Sequence, residues 1–147
     1  MAGHVKAVCI AAKKGAVKVA VPRARLQHAF GLEGDAHAGP GHRQVSLLAD
    51  ESIARIRAAL PALADGAFAE NIVTADFDLG ATRVGDRIRL GAALLEVTQI
   101  GKECHNDCAI KRATGDCIMP REGVFCRVLE GGTVAPGDLV ELAPAGD

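Results

Sequence analysis

The chain has no tryptophan and no tyrosine, and only four phenylalanines. Without those rings it lacks the usual platform on which single-stranded bases stack, and any core must be mainly aliphatic. It also lacks an excess of charge. A net charge of -1 removes the general electrostatic reason to expect nucleic acid or an anionic membrane as a partner. In the opening MAGHVKAVCIAAKKGAVKVAVP no long apolar run follows a basic cluster, so neither a secretory signal nor a membrane span is expected. The expected compartment is the cytoplasm.

What is present suits a globular protein: 147 residues, of which 49% are hydrophobic and 24% charged. Domains commonly run to roughly 100–150 residues, so a single domain over 1–147 is expected. Short apolar segments read as strands at His4 to Ala12, Val17 to Val21, Gln44 to Leu48, Glu70 to Thr74 and Asp86 to Leu90. Further strands are expected at Ala93 to Gln99, Gly123 to Leu129 and Asp138 to Leu142. Two of them share an opening, Gly85-Asp86 and Gly137-Asp138, a turn followed by alternating apolar residues. One helix is expected from about Glu51 to Leu60, capped by Asp50, with Ile53, Ile56 and Leu60 on one face and Pro61 after it. Many short strands and little helix predict a mainly β fold with minor α, a barrel or folded sheet.

Cysteine is abundant and unevenly placed. Cys9 and Cys126 lie inside apolar strands, where small inert cysteines are common, whereas Cys104, Cys108 and Cys117 fall within GKECHNDCAIKRATGDCIMPREGVF. An odd, clustered set suits thiol or metal chemistry better than a disulfide framework. Cys104 has Lys102 and His105 as neighbours and Lys111, Arg112 and Arg121 further on, and nearby cations favour the reactive thiolate. The spacing Cys-x3-Cys-x8-Cys, with His105, also offers ligands for zinc, but it lacks the paired Cys-x2-Cys knuckles of typical zinc sites, which ranks zinc below thiolate chemistry.

A second concentration of polar groups is the glycine-rich stretch GLEGDAHAGPGHR, which carries Asp35, His37, His42 and Arg43. Long irregular stretches in compact domains are usually functional. Glycines let backbone N–H groups approach a ligand, and the basic residue can pair with phosphate or carboxylate. The same Asp-x-His with a further His suits a divalent metal, and a loop whose polar groups satisfy one another is the plain alternative. Glu70-Asn71, in FAENIVT, either starts a strand or contributes to binding.

In order along the chain, GLEGDAH, HRQVSLL, FAENIVT, VGDRIRLGAALLEVTQIGKECH and REGVFCRVLEGGTVAPGD resemble the MOSC domain, from about residue 4 to residue 142. The resemblance implies a β-barrel-like fold with a cleft for the molybdenum cofactor, a pterin dithiolene bearing a phosphate. By position it makes Cys104 the signature cysteine, which carries sulfur as a persulfide or ligates molybdenum. His37, His42, Arg43, Glu70 and Asn71 fall in motifs that line the family's cleft, and Asp35 shares the first of them. Lys102 and Arg121, with Arg43 and His42, are expected to face the cofactor phosphate. The extra cysteines separate this chain from reductase-type members and point to a short stand-alone MOSC protein that handles cofactor or its precursor. Cys117 is then a candidate to resolve or receive sulfur from Cys104, and a cysteine desulfurase a candidate sulfur donor. The alternatives are a molybdenum-dependent reductase of N-hydroxylated compounds and a non-catalytic cofactor-binding or zinc-stabilised module.

Overall fold

The computed structural model describes residues 2–14, 16–101, 118 and 122–144. Eleven strands appear among them: β1 (Ala2–Ile10), β2 (Val19–Val21), β3 (Ala24–Gln27), β4 (Gly31–Leu32), β5 (Val45–Ala49), β6 (Ile72–Ala75), β7 (Arg87–Leu90), β8 (Ala93–Ile100), β9 (Val124–Glu130), β10 (Gly132–Val134) and β11 (Leu139–Ala143). One α-helix, α1 (Asp50–Arg57), joins β5 to β6. The main sheet runs β11-β7-β8-β9-β5-β6-β1-β2, and an additional β11–β1 pairing closes seven of its strands into a barrel. Closure removes most of the unpaired edge that an open sheet would carry.

β1 achieves this by dividing its second side. Ala2 to His4 pair with β11, and Val8 to Ile10 pair with β2. On its other side it pairs with β6, with a register shift between Val5 and Ala7. β5 and β6 are parallel, which requires a crossover connection, and α1 lies within it.

Burial on both faces explains why β5 and β6 show no polar alternation. Leu47 and Ile72 belong to the core inside the barrel with Val5, Leu95 and Val124, whereas Leu48 and Val73 pack outward against Ile53 and Ile56 of α1. The small sheet β10-β3-β4 adds Leu26, Leu32 and Val134 to the inner cluster.

The expected strands are all present, shifted by a residue or two at their ends. The helix is shorter than expected and starts differently. Ala49, not Asp50, occupies the N-cap and makes no side-chain cap bond. The carboxylate of Asp50 is drawn elsewhere, to Lys6 Nζ at 2.8 Å and Arg57 at 3.2 Å. Two cationic donors outcompete a neutral backbone N–H for the same oxygen. Asp65, 2.8 Å from Arg57 and 3.3 Å from Lys6, completes an alternating network that clamps α1 to β1.

Candidate functional site

The glycine-rich connection between β4 and β5 does not stand away from the barrel. It folds over the starts of β5 and β6, where a cleft of about 390 Å³ is lined by His37, His42, Arg43, Ser46, Asn71 and Phe125, among others. That volume falls in the usual range for small-molecule sites. Gly41 has φ of 129°, in the left-handed region that glycine adopts at no steric cost, and its carbonyl accepts from Gln44 Nε2 at 3.0 Å. The Arg43 guanidinium lies 5.9 Å from the centre of the Phe125 ring, within cation–π range, so one wall is both cationic and apolar.

His42 is held at the rim. Its Nε2 donates to Gln99 Oε1 at 2.8 Å, and Gln99 Nε2 donates to the carbonyl of Gly101 at 2.7 Å. Gly101 in turn bonds the carbonyl of Gly123 at 2.7 Å, so the chain leaves β8 and re-enters β9 beside the cleft.

Beneath the cleft lies a fully buried polar floor. Asp35 Oδ1 accepts from Lys18 Nζ at 2.6 Å and from the Ala11 N–H at 3.1 Å, and Oδ2 accepts from Asn71 Nδ2 at 3.1 Å. Burial alone would push the Asp35 carboxyl up, but these donors and the Lys18 charge together hold it below the usual carboxylate range. Asn71 uses every hydrogen-bonding position: Nδ2 also donates to the Cys9 carbonyl at 3.1 Å, and Oδ1 accepts from the Ser46 N–H at 3.0 Å. Five stretches of chain, at residues 9–11, 18, 35, 46 and 71, meet through these two side chains.

Glu70 lies outside the cleft lining. It is wholly buried, and its two oxygens accept the N–H groups of Gly66 and Phe68, each at 2.9 Å. The turn it braces requires glycine: Gly66 has φ of 95°, and a Cβ there would meet the Lys18 carbonyl at 2.3 Å. Burial pushes the Glu70 carboxyl up, against the pull of those N–H groups. Glu70→Gln must point an amide donor at one of two backbone donors. A loss of about 1–3 kcal/mol in urea unfolding is expected. A carboxyl raised in the folded state stabilises below its unfolded value, near 4.3, and that contribution is lost as pH rises through the folded one. Glutamine does not titrate, so the deficit of the variant should shrink as pH rises above the unfolded carboxyl value.

Of the residues singled out in the sequence, His37, His42, Arg43 and Asn71 line the cleft together. Asp35 forms the floor, and Glu70 braces the turn beside it. Lys102, Cys104, His105, Cys108, Cys117 and Arg121 lie outside the described residues. Cys9 and Cys126 are buried; burial above all pushes the Cys9 thiol up to about 12 and the Cys126 thiol up as well, which keeps both protonated and unreactive. Sequence reasoning missed Lys18 and Ser46. The available signal for Lys18 was a lone lysine in the apolar stretch AVKVAV.

Comparison with known structures returns the same architecture. The YUAD protein from Bacillus subtilis is 18% identical, with a TM-score of 0.79 over 97% of this chain and 96% of that one. YiiM from Geobacillus stearothermophilus is 17% identical, with a TM-score of 0.72 over 97% of this chain and 75% of the other. YiiM from Escherichia coli is 21% identical, with a TM-score of 0.66 over 100% of this chain and 72% of that one. At such identities the likeness is one of fold. No curated protein sequence matches the chain. The model of the MOSC domain matches residues 33–141, a span that holds the glycine-rich loop, the cleft and the strands that frame it, and the chain therefore belongs to the MOSC domain family, which is associated with molybdenum cofactor binding.

Proposed function

We propose that the cleft binds the molybdenum cofactor or its precursor and that Cys104 carries sulfur to it as a persulfide, with a cysteine desulfurase as donor. The observation that carries this reading is the link from the cleft to the cysteine-bearing segment. Gly101, three residues before Cys104 in the chain, is tied through Gln99 to His42 on the cleft rim. The donor set suits the phosphate end of the cofactor. The Arg43 guanidinium supplies hydrogen-bond donors and positive charge, Phe125 supplies an apolar wall for the pterin, and no carboxylate lines the cleft among the described residues. When bound, the cofactor would supply a molybdenum–dithiolene centre as sulfur acceptor and, in its reduced state, the electron pair that turns the outer persulfide sulfur into sulfide. The chain's own part would be to orient that group and to present the Cys104 persulfide to it, with the Cys104 thiolate as the group that leaves.

The test is anaerobic purification of the full chain from a host that makes the cofactor, with molybdenum, zinc, pterin and sulfane sulfur measured together. Wild type is expected to retain pterin and sulfane sulfur. Cys104→Ser should lose the sulfane sulfur and keep the pterin. Arg43→Ala removes a charge-assisted hydrogen bond worth about 1.5–3 kcal/mol, so pterin should bind roughly ten- to a hundredfold more weakly. Molybdenum and pterin that vanish together in Cys104→Ser would place the metal on that sulfur and favour a reductase. Zinc without pterin would overturn the reading in favour of a structural module.

A further inference from the structure

Gln44 stands where the glycine-rich loop enters β5, and its side chain is buried. In the β5–β9 register Val45 lies opposite Cys126, so a ladder continued by two residues would set Arg43 opposite Val128 and pair their backbones. Both of those places on Val128 are taken by other groups. Its N–H donates to Gln44 Oε1 at 3.0 Å, and its carbonyl accepts from the Ala29 N–H at 3.0 Å. The Arg43 backbone is thereby displaced from β9 without leaving a buried donor there unpaired.

The other end of the same amide acts on the loop. Gln44 Nε2 donates to the Gly41 carbonyl at 3.0 Å, which closes a four-residue turn with His42 and Arg43 at its tip. Gly41 presents that carbonyl with φ of 129°, and a Cβ there would meet nothing within 4 Å, so glycine is required by conformation alone. Thr98 Oγ1 donates to the His42 carbonyl and ties the tip to β8. We infer that Gln44 is a positioning residue that places the Arg43 guanidinium in the cleft for an anionic group of the ligand, by ending the β5–β9 ladder as an acceptor and closing the turn as a donor. One carboxamide does both because it carries an acceptor and a donor on one planar group. A guanidinium pairs in bidentate fashion with phosphate only when its planar fork is aimed, so what Gln44 contributes is geometry. The inference rests on the cofactor reading only for the identity of the anion.

The test uses inorganic pyrophosphate as the probe, titrated into the nitrogen-15-labelled full chain and followed at the Arg43 Nε–H signal, assigned by its absence from R43K. Wild type is expected to show a saturable shift. Gln44→Met removes both hydrogen bonds at similar volume, whereas Gln44→Glu keeps an acceptor for Val128 but, as a carboxylate, cannot donate to Gly41. Both should bind pyrophosphate roughly tenfold or more weakly, as expected for the loss of one aimed, charge-assisted hydrogen bond. Protonating the new carboxyl restores a donor beside an acceptor, so binding by Gln44→Glu, taken relative to wild type at the same pH, should recover in acid, and that of Gln44→Met should not. Gly41→Ala, which touches neither end of the amide, should weaken binding likewise and decides the matter if the Gln44 variants fail to fold. Unchanged binding in Gln44→Met or in Gly41→Ala overturns the inference, and so does a wild type that does not respond to pyrophosphate. A loss confined to Gln44→Glu also overturns it, since that would be repulsion by the added charge. Gln44-dependent pyrophosphate binding in a chain that retains no pterin would uphold the positioning role and sink the cofactor reading.

Discussion

Asp35→Ala is expected to destabilise the fold by about 3–5 kcal/mol in urea unfolding at neutral pH, because it leaves an ammonium buried without its counter-charge. The Lys18 and Asp35 side chains are 1% and 0% exposed, so water cannot replace the missing partner. The Ala11 N–H and one proton of Asn71 Nδ2 lose an acceptor at the same time. For a domain whose whole stability is about 5–15 kcal/mol, this is a large fraction. The effect should depend on pH in a defined direction. The Asp35 carboxyl sits below its unfolded value, near 3.9, so its contribution is fully present above that value and is lost as pH falls through the folded one. Alanine has no such contribution, so the gap between wild type and variant should close in acid. Replacing both partners, as Lys18→Met with Asp35→Leu, should recover much of the loss, since an apolar pair leaves no lone charge. A loss under about 1 kcal/mol for the single variant would mean that the pair is solvated, contrary to its burial.

Asn71→Leu is the second large effect. Leucine fills similar space and restores none of the hydrogen bonds, leaving the Ser46 N–H and the Cys9 carbonyl without their side-chain partner and Asp35 Oδ2 without a donor. Each buried group stranded in this way costs about 1–3 kcal/mol. Because the groups share one network the terms do not add, and a total on the order of 3 kcal/mol is expected. Hydrogen exchange gives a local readout, with the Ser46 amide exchanging far faster in the variant. Ser46→Ala is the control. It keeps the bond from its own N–H to Asn71 Oδ1 and loses only the hydroxyl contacts, at about 1 kcal/mol. Equal losses for the two variants would mean that Asn71 does not organise the floor.

Much of the fold was legible in the order of residues. Alternation after Gly85-Asp86 and Gly137-Asp138 marks β7 and β11, and the runs around Leu95 and Val128 mark β8 and β9. Ile53 and Ile56 mark the buried face of α1. Three elements were not legible. β3, β4 and β10 run to four, two and three residues, too short for any period to emerge. The helix cap was misjudged because Lys6 sits 44 residues from Asp50, and no local rule sees a competitor at that distance.

The site divides in the same way. The polar lining of the cleft was legible in residue type, in the basic, glycine-rich loop that carries His37, His42 and Arg43. The amino-acid sequence by itself determined a mainly β fold of short strands, one helix, and which loop would carry the polar groups, because those follow from periodicity and from turn residues that act over a few positions. Only the tertiary structure decided that Lys18 points inward, that Asp35 and Asn71 meet beneath the cleft, and that Glu70 braces a turn beside it. Whether a charge can be buried depends on a partner within about 3 Å, and Lys18, Asp35 and Asn71 come that close only when the barrel is closed.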